Sequence, residues 1–184
     1  MRSQSTHRIP LTMLMSLVGA TAASCAQVEA EIPEARVTQK AVSFAGVPGG
    51  QAIGEVSISH SFTVTSEDLS WAANLNAEVY AYEVEIKATS GVADLGFIHY
   101  AIVTISDGAA GSTMPPVEVV NYERPDNYTP SPVLDVKTTQ AVNVTDIWAK
   151  KKVVVTMQLA GVFPEQDWTA DVTLHLSGKI SYKL

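Results

Sequence analysis

The chain has 184 residues, 46% of them hydrophobic and 17% charged, with a net charge of −7 and a pI near 5.0. That length suggests one domain, and so large an apolar share excludes a disordered chain. The acidic balance argues against nucleic acid, which needs a basic stripe to displace counterions, and against electrostatic adsorption to anionic lipid.

The N-terminus, MRSQSTHR, carries Arg2 and Arg8 and no acid. An apolar run from Ile9 to Val18 follows, then small residues from Gly19 to Ser24. A positive start, a short apolar middle and a small-residue end are the parts of a secretory signal peptide. Pro10, Thr12 and Ser16 interrupt the run, which is too short to span a bilayer, where about 20 apolar residues are needed. Residues 1–24 are therefore expected to be removed.

The single cysteine, Cys25, follows Ala22-Ala23-Ser24. This stretch resembles the lipobox of bacterial lipoproteins, in which small residues precede a cysteine that is lipidated through its sulfur and becomes the first residue. It departs from that pattern at Ala22, where Leu is preferred. An unpaired thiol in an oxidising compartment is otherwise a liability, so Cys25 is expected to be a lipid anchor. Acyl chains bound there would hold the protein to a membrane of the bacterial cell envelope. In enteric-type lipoproteins an Asp after the cysteine favours the inner membrane. Ala26 stands there, which directs the expectation to the outer membrane. Residues 25–36 read as lipidated terminus and tether, because AQVEAEIPE shows no useful period.

From residue 37 to 184 the dominant period is two, the mark of strands with one buried face. Weak strands fall at Val37 to Phe44, Val117 to Tyr122 and Val133 to Thr138. Glu55 to Thr65 turns Val56, Ile58, Phe62 and Val64 inward. Glu78 to Ala88 groups Tyr80, Tyr82, Val84 and Ile86 on one face. Phe97 to Ser106 is apolar both ways and reads as central, and Val153 to Leu159 alternates. The longest pattern is Trp168 to Leu184, with even positions apolar and odd positions polar, and with a bend expected at Gly178. Helical turns are expected at Ser66 to Trp71 and at Asn143 to Lys150. Seven or eight strands with irregular links predict an all-β protein, an antiparallel β-sandwich with one or two short helical turns.

Candidate chemistry is sparse. His60, His99 and His175 lack the short spacings of zinc ligands, with His60 in an inward slot and His175 on the wet face, so no metal site is expected. Neither a G-x-S-x-G elbow nor an S-x-x-K motif occurs. Glu83 and Glu85 share a strand face beside Lys87 and read as a solvated outer surface. Asp107 and Asp126-Asn127 supply hard oxygen ligands, but too few acids for a recognised calcium loop. Trp71, Trp148 and Trp168 offer aromatic surface, and Trp71 and Trp148 are placed to plug the ends of the sandwich. The stretch from Asp107 to Val142, rich in Pro, Thr and Asn, is the best place for recognition. Within it Tyr122, Asp126, Asn127 and Tyr128 form the candidate recognition loop.

At LAGVFPEQDWTADV (Leu159 to Val172) and LSGKISY (Leu176 to Tyr182) the chain resembles small uncharacterised predicted lipoproteins of Gram-negative bacteria with a β-rich exported domain. The resemblance covers Val37 to Leu184 and implies no known activity or site residue. The expected function is that of a lipid-anchored envelope protein, non-enzymatic and free of cofactors, that binds an envelope partner or supports an assembly. The alternative is an envelope hydrolase or small-ligand carrier with a site built from scattered loop residues.

Overall fold

A computed structural model describes residues 27–48, 56–65, 77–150 and 152–183. Along the chain lie β1 (Gln27–Phe44), β2 (Val56–Thr65), β3 (Glu78–Ser90), β4 (Ile98–Asp107), β5 (Val117–Glu123), β6 (Val133–Asn143), the single turn α1 (Thr145–Trp148), β7 (Lys152–Gly161) and β8 (Trp168–Lys183). The strands form two four-stranded sheets, in the orders β1-β8-β3-β6 and β2-β7-β4-β5, with every paired neighbour antiparallel. Each connection except β4 to β5 crosses from one sheet to the other. This is the jelly-roll form of the expected β-sandwich.

Alternation builds the core. Along β8, Trp168, Ala170, Val172, Leu174, Leu176 and Ile180 are buried, and along β7 so are Val153, Val155, Met157 and Leu159. Burying each large apolar side chain of this kind contributes roughly 1.5–3 kcal/mol. β4, expected to be central, lies between β7 and β5. The register of β8 with β1 shifts next to Gly178: Ile32 pairs with Gly178 and Ala35 with Leu176, so two β1 residues face one of β8.

The two ends of the sandwich are closed differently. At one end Gln27 pairs with Lys183, and Glu78 pairs with Lys179. There α1 carries Ile147 and Trp148 into the core, with the Val144 amide bonded to the Val79 carbonyl at 2.9 Å. The expectation that Trp148 plugs an end is thus met, while Trp71 and the turn expected at Ser66 to Trp71 lie outside the described residues. At the opposite end Phe44 pairs with Trp168 and Ser90 with Thr169. Phe44 stacks on Trp168 with centroids 4.1 Å apart, and Phe97 meets Trp168 edge-on at 5.2 Å. Gly91 turns the chain there with φ +81°, and a Cβ on it would stand 2.3 Å from the Asp167 carbonyl oxygen. Only glycine fits that place.

Three expectations are corrected. The stretch read as a tether is strand from Gln27 onward, paired with β8, so the sheet begins ten residues before the expected boundary at Val37. As an edge strand β1 tolerates Pro33, which cannot donate to a ladder, beside its register shift. On β3, the face expected from Tyr80 and Tyr82 is reversed. Val79 and Ala81 are buried, then Val84 and Ile86, because a bulge between Ala81 and Glu83 adds one residue and flips the phase. Lastly, His175 is not wet: it is 5% exposed.

Candidate functional site

The stretch from Asp107 to Val142 is not one recognition loop. It contains β5 and most of β6, which divide it into a turn at the Gln27 end and a loop, 124–132, at the Trp168 end. Asp107 belongs to the first and Asp126-Asn127 to the second, so their oxygens lie at opposite ends of the sandwich. Asp107 is occupied by its own turn, accepting from the Ala109 amide at 3.0 Å and the Ser112 hydroxyl at 2.8 Å. Both bonds hold its carboxyl below the ordinary range.

The loop 124–132 meets the β3–β4 connection, 91–97, and between them opens a cleft of about 420 Å³. Asp94, Gly96, Arg124, Pro125, Asp126, Tyr128 and Pro130 line it. Backbone bonds hold the loop in place: Leu95 of the connection donates to the Ser131 carbonyl at 2.9 Å, and Ala88 of β3 to that of Pro132 at 2.8 Å. The turn from Pro125 to Tyr128 closes on itself, the Tyr128 amide donating to the Pro125 carbonyl at 3.0 Å. The walls are therefore set before any ligand arrives.

Gly96 is the floor. Its amide donates to Asp94 Oδ1 at 2.8 Å, and its carbonyl accepts from Arg124 Nη1. Asp94 and Arg124 thus hold the two successive peptide groups that flank the Gly96 Cα. They make no ion pair with each other among the described residues. A methyl on Gly96 would lie 3.0 Å from Asp94 Oδ1, 3.4 Å from Tyr128 Cε1 and 3.9 Å from Pro130 Cγ, so carboxylate, aromatic ring and proline converge over that floor.

Of the residues singled out from sequence, Asp126 and Tyr128 line the cleft, Asn127 is exposed on the same turn, and Tyr122 is half-buried on β5 against the core, outside the lining. The hydroxyls of Tyr122 and Tyr128 are buried and meet no partner of hydrogen-bond geometry. Burial pushes both phenols above their ordinary range, and for Tyr128 the Ser131 backbone opposes part of the rise. Asp94, Gly96 and Arg124 were not legible as site residues. The only local signal was their place in turns flanking strands. Cys25 lies outside the described residues.

A second polar cluster crosses the outer face of the β1-β8-β3-β6 sheet. Register aligns Arg36, His175, Glu83 and Lys137 in one row. Glu34 Oε1 lies 2.6 Å from His175 Nδ1 and accepts from Arg36 Nε at 2.6 Å. The Arg36 bond first, and the His175 bond next, lower the Glu34 carboxyl to about 2. Tyr82 stands edge-on over the imidazole at 6.0 Å, and His175 Nε2 is buried without a partner. Glu83 pairs with Lys137 at 3.6 Å, where the sequence suggested Lys87 as the neighbouring cation. His60 sits elsewhere, half-buried on β2 against the Phe44 ring at 5.6 Å. No group of three metal-ligating side chains occurs among the described residues.

No family model and no curated protein matches the sequence. Among solved structures, the crystal structure of the decameric BFDV capsid protein aligns with 84% of this chain and 99% of its own, at 10% identity and a TM-score of 0.38. The Macrobrachium rosenbergii nodavirus semi-empty particle aligns with 96% of this chain and 94% of its own, at 8% identity and 0.30. The infectious bursal disease virus Gt strain aligns with 95% of this chain and 40% of its own, at 12% and 0.32. At these values the likeness carries no functional content.

Proposed function

We propose that this chain is a lipid-anchored, non-enzymatic binding module of a bacterial cell envelope, held by Cys25 and presenting the Asp94, Arg124 and Tyr128 cleft to a partner. The observation that supports it is the strand register. Gln27, two residues after Cys25, pairs with Lys183 at one end of the sandwich, while both loops of the cleft leave the other end. Along β8, 16 residues long, this separation is roughly 50 Å at about 3.3 Å per residue. With strand pairing starting at Gln27, only Ala26 intervenes between the acylated cysteine and the sheet. The domain would stand directly on the headgroups, its binding end outward.

The cleft favours binding over catalysis. Its lining holds no serine, cysteine, histidine or lysine to serve as nucleophile or base. The test is Cys25→Ser followed by fractionation and metabolic labelling with palmitate. The reading expects loss of label and release from the membrane fraction. Label and sedimentation unchanged in the variant would overturn it.

A further inference from the structure

Resting on the reading of the cleft as a binding site, we infer that its ligand is a neutral, hydroxyl-rich chain, a segment of carbohydrate. The charges argue this first. One guanidinium and two carboxylates line a single cleft without forming an ion pair among the described residues. An anion would approach Arg124 between two acids, in a chain already at −7. A cation would meet the guanidinium beside those acids. A sugar diol suffers neither conflict, because each hydroxyl both donates and accepts. A carboxylate only accepts and a guanidinium only donates, so neighbouring hydroxyls satisfy both at once.

Hydrogen-bonding capacity remains in the cleft. Asp94 Oδ1 is engaged with the Gly96 amide and Arg124 Nη1 with the Gly96 carbonyl, which locks both side chains. Each keeps further acceptor or donor positions. Asp126 is exposed and has no hydrogen bond or ion pair among the described residues. Tyr128, with its hydroxyl buried, has only its ring to offer the cleft. That ring and the rings of Pro125 and Pro130 give the apolar surface on which the C–H face of a sugar packs.

The shape agrees. Enclosed sites surround most of a small ligand's surface, but this cleft lies open between two loops at the tip of the domain. An open cleft of about 420 Å³ accommodates a chain that passes through it.

The test uses the full 184-residue chain with Cys25→Ser, nitrogen-labelled for amide NMR. Cellohexaose, chitohexaose and maltohexaose are the neutral probes, with alanine tripeptide as zwitterion and inorganic phosphate as anion. At least one oligosaccharide is expected to shift the Gly96, Arg124 and Tyr128 amides in a saturable way. Asp126→Ala should weaken that binding about fivefold, with the rest of the spectrum unchanged. Gly96→Ala, which fills the floor, should abolish it. If the tripeptide or phosphate shifts these amides and the sugars do not, the cleft binds but the ligand class is wrong. If no probe shifts them, both this inference and the binding role of the cleft fail, whatever the fractionation of Cys25→Ser shows.

Discussion

The molecule carries two clusters of opposite charge, and they are built on contrary plans. On the outer face of the β1-β8-β3-β6 sheet, Glu34 is held between Arg36 and His175 at 2.6 Å from each. In the cleft, Asp94 and Arg124 bind the backbone of the same residue, Gly96, and not each other. The first cluster has spent its charges on itself and covers a buried imidazole. The second keeps opposite charges apart on a fixed floor. Charges that neutralise one another serve the fold, and charges held apart remain available to a ligand.

That contrast is broken most severely at His175. His175→Ala removes a side chain that is 5% exposed and should cost about 2–3 kcal/mol by urea denaturation, with oligosaccharide affinity unchanged. A loss of affinity instead would mean that the two clusters are coupled. Arg124→Ala comes next. It frees the Gly96 carbonyl and should cost about 1–2 kcal/mol of stability while lowering affinity at least tenfold, about 1.4 kcal/mol. Asp126→Ala sharpens the comparison further, since the side chain supports nothing in the fold. Stability should hold within about 0.5 kcal/mol while affinity falls by about 1 kcal/mol, read by titration calorimetry.

The smallest effect is a pH dependence at Glu34. Its carboxyl titrates at about 2 in the folded chain against an ordinary 4.5, so the folded state binds the proton less readily than the unfolded one. This contribution to stability is complete above the unfolded value and is lost as the pH falls from there toward about 2. Glu34→Gln should therefore lose less stability than the parent chain between about pH 6 and about pH 3. Equal losses in chemical denaturation would show that the carboxylate is not held by its two neighbours.

The strands were legible where one face is buried without interruption. The odd-even pattern of β8 and β7 reads directly onto Trp168 to Ile180 and Val153 to Leu159. It failed where the ladder is irregular. A bulge beside Tyr82 reverses the phase of β3, and a two-residue period has no memory of an inserted residue. β1 reads as tether as far as Arg36 because an edge strand with a register shift around Pro33 need not alternate. His175 follows the rule for an outward position and is buried nevertheless, because Glu34, Arg36 and Tyr82 close over it. The cleft was half visible. Pro125 to Tyr128 announces a turn, but Asp94 and Gly96 stand about thirty residues upstream. Only the crossing of loops between sheets brings them together, and no spacing motif encodes that.

The central claim is that the molecule is held at one end and binds at the other. Depth-dependent fluorescence quenching on the lipidated chain in vesicles tests it most directly. A probe on Asn127→Cys, in the cleft turn, is compared with one on Thr113→Cys, in the turn between β4 and β5 at the Gln27 end; both positions are exposed. With a quencher on the lipid headgroups, the account predicts strong quenching at position 113 and none at position 127, roughly 50 Å from the membrane. Equal quenching at both positions, or stronger quenching at 127, would contradict it.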